Sequence, residues 1–415
     1  MILVKHIPVM TRRNFLQIIA LLALLLVLLA EFWYFSQSPL LSDESFNFRQ
    51  ISRFRRGDLS MEPLMNVIPG YHALVALGLY ISGRTGAFSA RLISTGFSIL
   101  TVLIFYLLTK KVEGRPSLVK TLQFAFFPLI FPFFPLIYTD ILALLLVLLG
   151  FYLTLERHYT LAGLTGIASI LARTNNISWF AFLFFFTCIS EYGSDWRNAW
   201  RDRVRLLRHT WAYWLGFILF AAFLVVNRGI AIGDKSTQPL FKLETGNLYF
   251  LLFLFLFLFL PQNLALLPKT WRFIRQCPRF LVFLLLLLSL FFLTYHNTHP
   301  YNNVFPNYYL RNALLMAVEE SVVWKLAYFL PVAISLTLLW VTPLQRRAYY
   351  WLYPFTLLSL TPFWLVEPRY YFVPLSLFIL FRLVTQDKVE WITVGYNLVC
   401  ALVLIYLIRH EIMFI

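Results

Sequence analysis

Residues 42–72 read SDESFNFRQISRFRRGDLSMEPLMNVIPGYH. They follow an apolar run, Leu16 to Ala30, and its aromatic tail Phe32-Trp33-Tyr34-Phe35. Asp43 and Glu44 stand side by side at the start of the stretch. Arg49, Arg53, Arg55 and Arg56 follow, then Asp58, Glu62 and a Pro-Gly turn at Pro69-Gly70. Each such charge would cost ~2.5–3.5 kcal/mol at the centre of a bilayer, so the stretch belongs at the water interface just beyond a first membrane helix. Residues 36–90 are then the loop that carries the chemistry, and the remaining helices hold a lipid-borne substrate against it.

The wider composition agrees. Of 415 residues, 60% are hydrophobic and 13% charged, where a soluble protein carries about a quarter charged. The expected fold class is all-α: a polytopic membrane protein forming a single transmembrane domain over residues 1–415. The net charge of +16 lies mostly in short clusters between apolar runs, as cytoplasmic anchoring requires, which argues against nucleic acid as a partner. Cys188, Cys277 and Cys400 are far apart, in or beside apolar segments, and give neither a disulfide framework nor a metal cluster. Lys5, Arg12 and Arg13 precede an apolar run with no small-residue cleavage site, which reads as a retained first helix.

Apolar runs long enough to span fall near 14–35, 91–109, 121–137, 139–156, 159–173, 176–190, 210–228, 248–267, 280–296, 322–341, 349–364, 370–384 and 391–409, about thirteen in all. Tyr71 to Ile81 is too short to cross and is expected to lie flat at the interface. With that assignment the basic loops (Lys110 to Lys120, Arg197–Arg208, Lys269–Arg279, Arg346-Arg347) face the cytoplasm. The polar loops then share the other face with Asp43: Tyr138-Thr139-Asp140, Arg173 to Asn176, Gly233 to Ser236, His296 to Asn312 and Glu367 to Tyr370. No repeat of the inverted-transporter kind is present.

Several residues on that face carry candidate chemistry. Asp43 or Glu44 could take a proton from a sugar hydroxyl, the alternative being a solvated pair balanced by Arg49 and Arg53. The arginine run of residues 49–56 suits phosphate oxygens, either of a substrate lipid or, more simply, of bulk anionic headgroups. Pro128, Pro132 and Pro135 bend the run before Asp140, which either binds substrate or caps the following helix. Arg173 and Arg369, at charged breaks between short apolar runs, are phosphate candidates or structural salt-bridge partners. His296 and His299 could ligate a metal, but no third ligand is spaced to join them. No nucleotide-binding glycine pattern appears, so a nucleotide-sugar donor is not expected.

In order along the chain, these motifs resemble the GT-C membrane glycosyltransferases, and among them the dolichyl-phosphate-glucose α-1,2-glucosyltransferase family. The resemblance rests on Asp43-Glu44-Ser45-Phe46-Asn47 with Gln50 and Gly57-Asp58, Met61-Glu62-Pro63 through Pro69-Gly70-Tyr71, Arg91-Leu92-Ile93-Ser94, and Phe127-Pro128 through Tyr138-Thr139-Asp140. It continues through Arg173-Thr174-Asn175-Asn176-Ile177-Ser178-Trp179, Gly233-Asp234-Lys235-Ser236, His299-Pro300 and Glu367-Pro368-Arg369-Tyr370-Tyr371. Departures include Asn47 for a family His, Met61-Glu62 for Trp-Asp, Asn66-Val67 for a Thr pair, and Phe305-Pro306-Asn307-Tyr308 where the family has a polar run.

The resemblance implies a GT-C fold of about thirteen transmembrane helices, with interfacial helices in the first non-cytoplasmic loop. The implied reaction is inverting transfer of a hexose, glucose first, from a polyprenyl-phosphate sugar to a lipid-linked glycan. The setting is a bacterial inner membrane or endoplasmic reticulum membrane, with the site on the non-cytoplasmic face. Asp43 or Glu44 would be the base; Arg173, Arg369, Arg311 and Lys235 would hold the donor phosphate. Asp140, Glu62, Tyr138, Asn175, Asp234, His299, Glu367 and Tyr370 would line the sugar and acceptor sites. No cofactor is assigned, and a divalent metal held by Asp140 or Glu62 is an open option. The alternatives are a lipid-linked sugar flippase, or a GT-C enzyme using mannose or aminoarabinose.

Overall fold

The computed structural model describes residues 12–63, 65–193, 201–232, 235–236, 242–384 and 386–415, with side chains from Phe15 onward. Among these residues the fold is all-helical; pairing between extended segments is limited to two isolated bridges. Helix α1 (Arg12–Ser36) leads to α2 (Glu44–Arg55) and α3 (Gly70–Ile81). Then come α4 (Ala87–Glu113), α5 (Leu118–Ala125), α6 (Thr139–Leu155), α7 (Tyr159–Ala172) and α8 (Ile177–Tyr192). The next are α9 (Arg203–Asn227), α10 (Gly246–Leu258), α11 (Leu260–Gln276), α12 (Arg279–Thr294) and α13 (Leu310–Glu320). The last four are α14 (Val322–Val341), α15 (Leu352–Leu360), α16 (Phe372–Phe381) and α17 (Asp387–Arg409).

Among the described residues five helices, α1, α4, α9, α14 and α17, are long and apolar enough to cross a membrane. A sixth span exists if α10 and α11 count as one, although they meet at 97°. Pro261 in the first turn of α11 accounts for that break, because it supplies no N–H to the turn before it. The outward faces of the long helices are apolar. On α1, for example, Leu16, Leu22 and Leu26 are exposed while Leu24, Leu28 and Phe35 are buried, the pattern of a helix with lipid on one side and protein on the other.

The expected span at 121–137 is not a helix. α5 ends at Ala125, and only a 3₁₀ turn at Phe131–Phe133 follows before α6. Pro128, Pro132 and Pro135 break the backbone here rather than bend a helix. Every residue from 126 to 138 is buried, so the irregular backbone is enclosed by protein, as irregular chain at membrane depth must be. Its end delivers Tyr138 to the site.

α3 forms where the short apolar run predicts. Gly70 opens it, and a Cβ there would lie 2.6 Å from the carbonyl oxygen of Leu171; only glycine allows α3 this close to the end of α7. At the end of the bundle away from Asp43, Lys120 is fully buried and donates to the carbonyls of Leu380 (2.9 Å) and Arg382 (2.6 Å), with Glu113 at 2.6 Å. Beside it Arg382 grips Glu390 through two bonds, 2.7 and 2.5 Å. These charges tie α4, α5, α16 and α17 together and close that end.

Candidate active site

Asp43 precedes α2 and Glu44 is its first helical residue, so the two side chains point apart. Glu44 is fully buried. Its Oε1 accepts from Arg91 Nε (2.9 Å) and the Ile137 amide (2.9 Å); its Oε2 accepts from Arg91 Nη2 (2.5 Å) and the Leu41 amide (2.9 Å). Arg91 also donates to the carbonyls of Phe35, Ser38 and Pro39. With four donors on one carboxylate, Glu44 has no capacity left for a substrate proton. It ties the end of α1 to α4 and to the segment before Tyr138.

Asp43 turns the other way, its side chain 45% exposed. It lines a cavity of about 420 Å³ with Asn47, Tyr138, Asn175, Tyr309, Arg173, Arg311, Glu367, Arg369 and Tyr370 among others. Its amide donates to Tyr138 Oη (3.1 Å), and Ser42 before it, at φ 50°, exchanges a 3.1 Å hydroxyl contact with Tyr309. The left-handed backbone at Ser42 is thereby fixed from the far side of the cavity.

Three arginines converge on the cavity from three breaks in the chain. Arg369 Nη2 lies 3.0 Å from Asp43 Oδ2, and its Nε lies 3.0 Å from Glu367 Oε1. Its guanidinium sits 5.1 Å from the centre of the Tyr138 ring. Arg311 Nη1 lies 2.8 Å from Glu367 Oε2. Arg173 is ion-paired with Asp140 just beneath the cavity and stacks over Tyr370 at 5.2 Å. Asn247 holds the segment carrying Glu367 and Arg369: its Oδ1 accepts from the Glu367 amide (3.2 Å) and from Tyr371 Oη (3.0 Å).

The charges tune one another. Burial alone would raise the Glu367 carboxyl, but Arg311 and Arg369 more than offset it and hold it below the ordinary glutamate value. Burial would lower Arg369, yet Glu367 and Asp43 reverse that and push it well above the ordinary arginine value.

Of the other residues expected at the site, Asp140 lies against Arg173 and Arg369, and the rest fall outside this group. Glu62 pairs with Arg49 (3.2 Å) and Arg53 (3.5 Å), away from the cavity. Lys235 donates to the Asn227 carbonyl and does not line the cavity. His299 is buried, accepts from the Tyr301 amide (3.1 Å) and packs on Trp364. Asp140 sits in the first turn of α6 without capping it. Asp234 lies outside the described residues. Among the described residues no group of three or more His, Cys, Asp or Glu side chains converges as a metal site.

Sequence reasoning assigned Arg91 no role at the site, although an arginine in an otherwise apolar run signals a buried partner. It also missed His72, which is buried and bonded to Asn47 Oδ1 at 2.9 Å.

Fold and site together define a polytopic α-helical membrane protein with an acid-and-arginine cavity at one end of its bundle. The chain belongs to the DIE2/ALG10 family, whose profile matches residues 37–203 and 184–383. Similar curated proteins carry the name Dol-P-Glc:Glc(2)Man(9)GlcNAc(2)-PP-Dol alpha-1,2-glucosyltransferase. The human one is 24% identical over 247 residues, which is 47% of this chain and 52% of the relative. The mouse one is 25% identical over 250 residues, with the same shares. The Drosophila melanogaster one is 24% identical over 401 residues, 86% of this chain and 87% of the relative. The chain thus spans about half the length of the mammalian relatives it matches. No solved structure matches it.

Proposed function

We propose that the chain is a glycosyltransferase that moves glucose from a polyprenyl-phosphate glucose to a lipid-linked glycan, inverting C1. Asp43 takes the proton of an acceptor hydroxyl as that oxygen bonds to C1. The C1–O bond to phosphate breaks, and its electron pair leaves with the polyprenyl phosphate. Arg369, Arg311 and Arg173 meet the added negative charge. In the unliganded site these arginines rest on Asp43, Glu367 and Asp140, so an arriving phosphate replaces carboxylate partners rather than entering an empty cationic hole. Release from Arg369 frees Asp43 to act as base. The printed names of the relatives supply the donor and acceptor classes.

The observation that carries this assignment is exposure: Asp43 is 45% exposed on the cavity, whereas Asp140 is 2% and Glu367 is 1% exposed. One available carboxylate suits inversion, because retention through a covalent intermediate uses two, about 5–5.5 Å apart. Transfer is favoured over carriage across the bilayer by the charged clasp of Lys120, Arg382 and Glu390, which closes the opposite end. Lys111 and Lys120 lie at that end, and the positive-inside bias supports a cavity on the non-cytoplasmic face of a bacterial inner membrane or endoplasmic reticulum membrane. The shorter helices would complete about thirteen passages.

The test is incubation of the reconstituted protein with synthetic prenyl-phosphate sugars (glucose, mannose, aminoarabinose) and a lipid-linked glycan. Consumption of the glucose donor, with glucose appearing on the glycan, is the expected outcome. Consumption of another sugar reassigns the donor, and movement of intact donor between leaflets without chemistry contradicts the proposal.

A further inference from the structure

The loop between α12 and α13 contributes Tyr301, Val304 and Phe305 to the cavity wall. It adds two aromatic rings to a lining that mixes apolar side chains such as Phe46, Met65 and Leu365 with the charged cluster, and its backbone is firmly held. Asn302 Nδ2 donates to the Val366 carbonyl (3.0 Å), and its Oδ1 accepts from the Val366 amide (2.9 Å). Asn312 Nδ2 donates to the carbonyls of Tyr301 (2.8 Å) and Val304 (2.7 Å).

Phe305 itself sits at φ 49°, a left-handed conformation that a residue with a Cβ rarely adopts. Pro306 follows, and a proline disfavours compact conformations in the residue before it. The conformation is imposed by two bonds to the Phe305 carbonyl, from the amides of Tyr308 (3.0 Å) and Tyr309 (2.9 Å). A strained residue locked this way at a cavity points to function rather than packing. Phe305 is 69% exposed and Tyr301 is 44% exposed, and both line the cavity, so a rigid loop presents aromatic residues there.

A pyranose ring has the matching shape: a C–H face that is apolar and an edge of hydroxyls. The same cavity offers Asn66, Thr139, Thr174 and Asn175 to such an edge. The Tyr309–Ser42 contact ties the aromatic loop to the residue before Asp43, fixing the platform relative to the proposed base. We propose that Phe305, backed by Tyr301, is the platform on which the acceptor's terminal sugar ring stacks. Phe305 is thus a specificity-determining residue, one that rests on the transfer reaction proposed above.

The test is steady-state transfer from a short synthetic prenyl-phosphate glucose to a synthetic diphosphate-linked glycan ending in glucose. Wild type is compared with Phe305→Ala, Phe305→Leu and Phe305→Trp. Removing the ring, by Ala or by the volume-retaining Leu, raises the acceptor KM about tenfold, as loss of ~1.4 kcal/mol requires. The donor KM is unmoved, and Trp restores acceptor binding. An acceptor KM unchanged in the Ala and Leu variants overturns the platform while leaving the transfer reaction standing. So does an equal rise in donor KM, which would mean that the loop holds the prenyl chain instead. If wild type transfers no glucose, the reaction itself is wrong and the platform falls with it.

Discussion

Asp43 and Arg369 form an ion pair at 3.0 Å, although one precedes α2 and the other follows α15. Arg369 also holds Glu367 through Nε at 3.0 Å and has Asp140 3.9 Å from Nη1. One guanidinium therefore reaches three carboxylates, and of these only Asp43 is appreciably exposed. In the proposed reaction this pairing stores the base in a charge-neutral state until a phosphate competes for the arginine.

Replacing Glu44 with Gln should damage the fold before it damages the chemistry. The change removes the charge opposite Arg91, whose side chain is 1% exposed. Breaking one partner of a buried pair costs ~3–5 kcal/mol. A lower thermal unfolding midpoint and reduced yield in detergent are expected, with the protein that remains folded still active.

Arg369→Lys should lose transfer by at least about tenfold, because a lysine cannot keep the forked contacts to Glu367 and Asp43 or offer them to a phosphate. Lys235→Ala should stay close to wild type, since Lys235 spends its ammonium on the Asn227 carbonyl. Parallel donor titrations of the two variants measure the contrast.

His72 predicts an acid-sensitive fold. α3 lies outside the long spans, and burial drops the His72 imidazole to about 3 from an ordinary 6.5. Nδ1 has no hydrogen-bond partner among the described residues to compensate a charge. The folded state thus refuses a proton that the unfolded state accepts below pH 6.5. Stability is complete above that value and falls as pH drops from 6.5 towards 3, by at most ~1.36 kcal/mol per pH unit for one proton. Unfolding midpoints across this window should fall less steeply in His72→Gln, which has no proton to take up.

Gly70→Ala should displace α3 from α7. The new Cβ would meet the backbone of Leu171, with O at 2.6 Å and C at 2.8 Å, and backbone atoms cannot swing aside. A reduced unfolding midpoint, with cross-linking between α3 and α7 weakened, is the expected outcome.

Long apolar runs were legible in the sequence because lipid imposes their length: the run at 322–341 is α14 to the residue. The convergence of Asp43, Arg173, Arg311, Glu367 and Arg369 was legible as well, through the sorting of polar loops to one face. The run at 121–137 was misread because hydropathy registers burial but not hydrogen bonding, and three prolines removed the donors a helix needs. Asp43 and Glu44 could not be told apart as adjacent carboxylates. Their fates were set by helical phase, which turns Glu44 inward to Arg91 on α4. Glu62 looked like a cavity residue because it follows the same loop, but Arg49 and Arg53 lie closer and hold it.

The most direct measurement of the central claim is glucose transfer by purified Asp43→Asn in proteoliposomes, beside wild type and at matched folded protein. Asparagine keeps the shape and hydrogen-bonding size of Asp43 but cannot take a proton. The predicted result is a loss of ~10²–10⁴ in turnover, the usual worth of a positioned base, with donor binding and unfolding midpoint preserved. Turnover by Asp43→Asn within a few-fold of wild type would contradict the account.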